Sequence, residues 1–176
     1  MLRRLAVMFR MSGGAAAIEF ALLAPVMILM FFAVVELSAA VDCRTRVNNV
    51  ASTAADLVAQ ETIVSPSDMS NVFAALNAII YPFSSTPAKI VITSVVDNGS
   101  GGGKVDWSDA QNGTPRTVGS AVTVPTGLIT TGGSVILAEI TYNYVSPTTQ
   151  FLTGAIAMSN SFYARPRRSA KVTHTY

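Results

Sequence analysis

An apolar run near the N-terminus, residues 15–35, constrains this chain more than any other stretch. It is 21 residues long and contains a single charge, Glu19. An α-helix needs roughly 20 apolar residues to cross the hydrocarbon core of a bilayer. A carboxylate at the centre of a membrane helix costs about 2.5–3.5 kcal/mol, and less near its end. The run therefore predicts a membrane anchor in which Glu19 has a specific task.

The residues that flank the run leave two uses for it open. Arg3, Arg4 and Arg10 precede it, as in the basic part of a secretory signal. A cleavable signal has an apolar part of only about 7–15 residues, followed by a small-residue site. The length of the run therefore favours a retained signal-anchor. Cleavage after Ala40, which would release a secreted soluble protein, stays open as an alternative.

The start of the run carries a further pattern. Gly14 is followed by four small or aliphatic residues beginning with Ala15, by Glu19 at the fifth position and by Phe20 at the sixth. This pattern resembles the site at which prepilin peptidases cut type IV pilin-like proteins. The whole of residues 13–25, including an early Pro25, resembles the opening of TadE/TadG-like pseudopilins of the tight-adherence (Tad/Flp) pilus.

The resemblance implies how the chain is divided and processed. Residues 1–14 form a basic leader that stays in the cytoplasm, and the prepilin peptidase cuts after Gly14. Residues 15–36 form the transmembrane helix, marked by Ala15, Phe20, Pro25 and Val35. Cleavage creates a cationic amine at Ala15. Residues four apart share a helix face, so we expect Glu19 to pair with this amine or with that of a neighbouring subunit. The alternative is that its side chain merely extends to the headgroups.

The helical pattern continues beyond the membrane span, through residues 37–62. Apolar residues recur there at steps of three and four, and no Gly or Pro interrupts the sequence from residue 26 to residue 65. We therefore predict one helix over residues 15–62, whose second half lays an apolar stripe on a globular head. The predicted stripe consists of Leu37, Val41, Val47, Val50, Ala54, Leu57 and Val58.

Residues 63–176 are predicted to form that head, with an α+β fold in which the long helix backs a small antiparallel sheet. Ser65 and Pro66 mark the start of an amphipathic helix that ends before Pro82. Strands are predicted over residues 89–97 and 104–107, joined by a Gly-rich turn, with a short strand at 121–124 among loops. Residues 135–145 alternate between apolar and polar side chains and form the clearest strand.

A last strand is predicted over residues 162–173, after an apolar loop at 151–158. A strand that ends in Tyr142-Asn143-Tyr144, an apolar loop and then a basic strand is also similar to TadE-like proteins. The basic residues form a possible interaction surface, although a solvated strand edge is favoured. They are Arg165, Arg167, Arg168 and Lys171.

The composition gives little support to catalysis or to a cofactor. The only histidine, His174, lies two residues from the C-terminus, where fraying is expected. One His and one Cys are too few for a structural zinc site. Cys43 is expected to be a small helix residue, with an intermolecular disulfide as the alternative. The net charge of +2 implies no nucleic-acid partner.

The sequence thus favours a non-enzymatic minor pilin or pseudopilin that takes part in the assembly or priming of an adhesive pilus. Its expected partners are the prepilin peptidase, other pilins, the inner-membrane assembly platform and the lipid bilayer, with no small-molecule substrate. The expected location is the bacterial inner membrane, with the head in the periplasm. A membrane-anchored binding module or adhesin is the alternative that keeps the anchor.

Overall fold

The computed structural model describes residues 12–147 and 154–176. Most of the predicted leader and part of the predicted apolar loop lie outside these residues. The first element is a single α-helix, α1, Ser12–Ala59. With a rise of 1.5 Å per residue it is about 72 Å long. The prediction of one long helix is confirmed, and the helix runs through Pro25.

A second helix, α2 (Pro66–Ile80), follows a two-residue strand, β1 (Ile63–Val64). Ser65 caps α2: its hydroxyl accepts a hydrogen bond from the Asp68 amide, and the Asp68 carboxylate accepts one from the Ser65 amide. This reciprocal capping box satisfies two amides that the first helical turn leaves unpaired. The pKa of Asp68 is lowered chiefly by a hydrogen bond that the Ser65 hydroxyl donates to its carboxylate, and also by the bond from the Ser65 amide. The predicted start and end of this helix are both confirmed.

The head contains a five-stranded antiparallel sheet with the order β4-β3-β2-β5-β6. Hairpins join β2 to β3 and β5 to β6. The Gly-rich turn between β2 and β3 has positive φ at Gly99 and Gly101, a conformation that glycine adopts without steric cost. The bounds of the five strands are β2 Ala88–Asp97, β3 Gly103–Gln111, β4 Ala121–Val122, β5 Ser134–Val145 and β6 Ala155–Ala164.

Two strand predictions were wrong in extent. The return strand β3 continues to Gln111, because residues 108–111, predicted as loop, pair with β2. The last long strand is Ala155–Ala164 rather than 162–173. It pairs with β5 from Val145↔Ala155 to Ile136↔Ala164. The strand ends immediately before Arg165-Pro166, and proline lacks the N–H donor that a ladder requires.

The main core lies between α1, α2 and one face of the sheet. The face of β5 predicted to be apolar is buried, from Ile136 through Ile140 to Tyr144, whereas Thr141 and Asn143 are exposed. This face shares one hydrophobic cluster with Val47, Val50 and other residues of α1. A smaller cluster lies on the opposite face of the sheet. The predicted helix-backed sheet, and with it the α+β class, is confirmed.

The stripe of α1 that packs on the head differs in part from the predicted one. Leu37 and Val41 are exposed, and Leu57 is only half-buried. The covered stripe begins instead at Glu36. Small residues dominate this stripe, which lets the helix approach the sheet closely. Its fully or nearly fully buried members are Glu36, Ala40, Cys43, Val47, Val50, Ala51, Ala54, Ala55, Val58 and Ala59.

The C-terminal segment is ordered, contrary to the fraying expected from its position. Its strand β7 (Thr173–His174) pairs in parallel with β1. The indole N–H of Trp107 donates a 2.8 Å hydrogen bond to the Val172 carbonyl, and both residues are buried. These contacts tie the C-terminal segment to β1, which follows α1, and to β3 of the sheet.

Candidate processing site and membrane anchor

The first half of α1 exposes an apolar surface all around the helix. No residue in the most apolar 18-residue stretch of this helix is buried within the protein. Phe20 and Leu22 are 66% and 76% exposed, and Val35 is 47% exposed. A helix that is apolar on every side and has no protein cover requires an apolar surrounding. This part of α1 fits a membrane anchor.

The residues of the predicted processing site lie at the start of this helix. Gly14 is in its first turn, so the bond between Gly14 and Ala15 is helical rather than extended. A protease cleft takes an extended backbone, so this turn would have to open before any cleavage at the predicted site. Gly within a helix costs roughly 0.5–1 kcal/mol relative to Ala, so Gly13 and Gly14 make that opening easier.

Glu19 is exposed and lies one turn along the helix from Ala15. The described part of the chain offers its carboxylate no salt bridge. Positions four apart are neighbours on a helix surface, so a new amine at Ala15 would be within reach of the carboxylate. Phe20 is directed outward with Glu19, and Pro25 is accommodated without ending the helix.

The head is joined to α1 where the predicted membrane span ends. Glu36 is 3% exposed, and its carboxylate accepts a hydrogen bond from the hydroxyl of buried Ser146 at the end of β5. One turn further on, Ala40 is also buried. The only carboxylate between Glu19 and Asp42 is therefore turned into the protein and away from the surface of the helix.

Cys43 is buried at the same junction and is 1% exposed. Burial, with a smaller contribution from the neighbouring Asp42 carboxylate, raises the pKa of its thiol from 9.0 to about 11. A thiol with these properties is neutral and inaccessible at physiological pH. The structure thus favours the small-helix-residue interpretation of Cys43 over the intermolecular disulfide.

The four basic residues of the predicted interaction surface lie in the irregular segment after β6, and three of them make contacts within the head. Arg165 donates hydrogen bonds to the carbonyls of Gly127 and Leu128, and Arg167 forms a salt bridge with Asp56 of α1. Lys171 pairs with Asp106 at 3.0 Å. Arg168 is exposed and has no salt bridge among the described residues. An interaction surface here stays a prediction.

A groove of about 670 Å³ runs between α1 and the end of β6. Ser52, Asp56 and Leu57 line one side, and Phe162 and Arg167 line the other. It is open to solvent, whereas small-molecule sites bury most of the ligand's surface.

His174 belongs to a cluster that sequence reasoning missed. Its Nε2 lies 2.8 Å from a carboxylate oxygen of Asp109, and its ring lies against those of Trp107 and Tyr176. The imidazole is 5% exposed. A His–Asp pair alone lacks the nucleophile that hydrolytic sets require. Together with the β1–β7 pairing, the cluster attaches the C-terminus to the head.

The fold and the site define a class: an α+β protein in which a long helix, whose exposed apolar half fits a membrane anchor, continues into the core of a small head. The model of the TadE-like protein family matches residues 14–56. This match confirms the resemblance drawn from the N-terminal segment. It begins at the predicted cleavage residue Gly14 and ends within α1, before the strands of the head. It indicates a protein related to the Tad pilus. Comparison with curated proteins and with solved structures gave no match.

Proposed function

We propose that this chain is a minor pilin or pseudopilin that takes part in the assembly or priming of a Tad/Flp-type adhesive pilus. In this proposal a prepilin peptidase cuts after Gly14, residues 15–36 span the inner membrane, and the head lies in the periplasm. The observation that carries the proposal is the TadE-like match over residues 14–56, which coincides with the exposed apolar helix and its junction with the head.

The junction at Glu36 speaks against the secreted alternative. Cleavage after Ala40 would remove Glu36 and Ala40, both of which are buried against the head. It would also require an extended backbone where α1 is continuous and half covered by the sheet. The helix is thus part of the folded head as well as the anchor.

Assembly and mere anchoring make different demands on the span. An anchor needs only apolar residues, whereas an assembly subunit needs the cleavable Gly14 and the Glu19 carboxylate. The test replaces residues 15–35 by an all-leucine helix of the same length in a strain that lacks the wild-type gene. Because this variant keeps the head in the membrane, it isolates the function of the span.

The proposal predicts that the wild-type chain restores surface pili in this strain and that the all-leucine variant, present in the membrane at the same level, does not. Restoration of pili by the variant would overturn the assembly role. That result would assign the protein to the anchored binding modules, whose head works on any membrane helix.

A further inference from the structure

The end of the head that carries the β5–β6 hairpin lies beside the point where the membrane span ends. The Ser146 hydroxyl bonds to Glu36, the residue that directly follows Val35. Val145 immediately precedes Ser146, and Tyr144 pairs with Ile156 across the hairpin. The strand β5 therefore runs toward the membrane end of α1.

The dimensions of a bilayer place this end of the head within the headgroup layer. Residues 15–35 extend about 31 Å, close to the roughly 30 Å thickness of the hydrocarbon core. The headgroup region adds about 5–8 Å on each side. In that distance a helix advances at most about five residues, so Leu37 lies inside this layer and Val41 at its outer edge. Val145 lies within one strand residue, about 3.3 Å, of Ser146.

The surface presented at this level is apolar. Leu37 and Val41 are 59% and 57% exposed, and Val145 and Ile156 are 57% and 37% exposed. The adjoining residues 37–41, 145–147 and 154–157 contain no charged side chain. Water is a poor environment for such side chains, and the exposure of Leu37 and Val41 continues along α1 from that of residues 15–35.

We propose that this surface, formed by Leu37, Val41, Val145 and Ile156, rests in the headgroup layer of the bilayer. The head is then held against the membrane from which it projects and does not stand on a free stalk. The inference depends on the proposed membrane anchor, and the experiment below tests the two separately.

The test uses tryptophan as a depth probe in the full chain. The protein is reconstituted into vesicles of phosphatidylcholine and phosphatidylglycerol, with and without a nitroxide quencher on the phosphatidylcholine headgroup. Val145→Trp and Ile156→Trp place the probe on the proposed surface. The native Trp107 is buried. It pairs with Ser94 of β2, and Ser94 pairs in turn with Ile136, which lies at the far end of β5 from Val145. Trp107 lies about 30 Å from Val145 along the strand, so the wild type supplies the unquenched background.

Val118→Trp is the matched control. Val118 is also a valine and is 60% exposed, against 57% for Val145. The loop that carries Val118 forms backbone hydrogen bonds with Val105 of β3. Val105 pairs with Val95 of β2, and Val95 pairs with Val135 at the start of β5, so this loop lies at the other end of the sheet from Val145. The same substitution there reports the distal end of the head.

The proposal predicts that the headgroup quencher removes most of the emission added by Val145→Trp and by Ile156→Trp, and leaves that of Val118→Trp and of the wild type unchanged. Equal emission with and without the quencher, in protein that resists extraction at high pH, would overturn the proposal while leaving the anchor intact. Quenching of Val118→Trp as well would also overturn it, because the head would then lie on its side.

Two further outcomes are decisive. Tryptophan emission from Val145→Trp or Ile156→Trp that shifts with the ratio of protein to lipid, yet is not quenched, would overturn the proposal. It would show that a second copy of the protein, and not lipid, covers the surface. Protein that high-pH extraction removes from the vesicles would overturn the anchor, and with it both this inference and the proposed function.

Discussion

Glu36 and Ser146 are 110 positions apart in the sequence, yet the Ser146 hydroxyl donates a hydrogen bond to the Glu36 carboxylate in the interior of the protein. Glu36 is the last residue of the proposed membrane span, and Ser146 directly follows β5. The contact ties the depth of the anchor to the position of the head. It also removes a carboxylate from the surface of α1 at the end of its exposed apolar part.

Ser146→Ala is expected to weaken this junction. It takes a donor from a buried carboxylate, and hydrogen bonds to charged groups contribute about 1.5–3 kcal/mol. We expect a loss of this size in the free energy of unfolding, measured by urea denaturation of the full chain in detergent. Ser38→Ala, at an exposed serine on the same helix, is the control and should change stability little. Equal stability of the two variants would contradict the junction.

Ile140→Asp is expected to unfold the head. Ile140 is 1% exposed, and burial of a large aliphatic side chain contributes roughly 1.5–3 kcal/mol. The new carboxylate would also be buried without a cationic partner, which adds several kcal/mol. Thr141→Asp introduces the same charge on the exposed face of the same strand and should be tolerated. Limited proteolysis of both variants makes the comparison, and equal resistance would refute the packing.

Cys43 is expected to resist alkylation until the protein unfolds. Burial raises its pKa from 9.0 to about 11, so the folded state holds the thiol proton more tightly than the unfolded state. This contribution to stability is fully present below pH 9.0 and is lost as the pH rises through about 11. We expect no maleimide labelling at neutral pH and no disulfide-linked dimer on a non-reducing gel.

The control for this thiol is Val41→Cys in a Cys43→Ala background, because Val41 is 57% exposed only two positions away. This thiol should be labelled readily in the folded protein. Rapid labelling of Cys43 in the wild type would show that the junction between helix and head opens easily.

Local chemistry was sufficient to predict much of the fold. The serine cap and proline gave the start of α2, and the alternation from Ile136 to Tyr144 gave the buried face of β5. Both signals act over a few residues. The position of Gly14, Glu19 and Phe20 at the start of an exposed apolar helix could likewise be expected from the sequence.

Contacts between distant segments could not be predicted in the same way. The extent of β6 is set by its ladder with β5, although Ser159-Asn160-Ser161, residues typical of turns, lie in the middle of that strand. His174 is ordered because Asp109 and Trp107 surround it, although its sequence position favours fraying. Leu37 and Val41 fit the helical period but are exposed, because the head covers the face that contains Glu36 instead.

Glu19→Gln separates assembly from anchoring. The neutral amide loses the ionic attraction for the new amine of Ala15, and charge-assisted hydrogen bonds are about twice as strong as neutral ones. We expect a chain that is inserted and cleaved but does not support piliation in a deletion strain. Glu19→Asp keeps the charge and should retain part of the function. Wild-type piliation by Glu19→Gln would leave Glu19 as a residue that merely reaches the headgroups.

The mass of the mature protein in the membrane fraction tests the central claim most directly. The account predicts the loss of residues 1–14 in the wild type, and the full precursor in Gly14→Val, whose branched side chain obstructs the protease cleft. Ala21→Val makes the same kind of change outside the site and should be processed normally. A wild-type protein that retains all 176 residues, or one that lacks residues 1–40, would contradict the account.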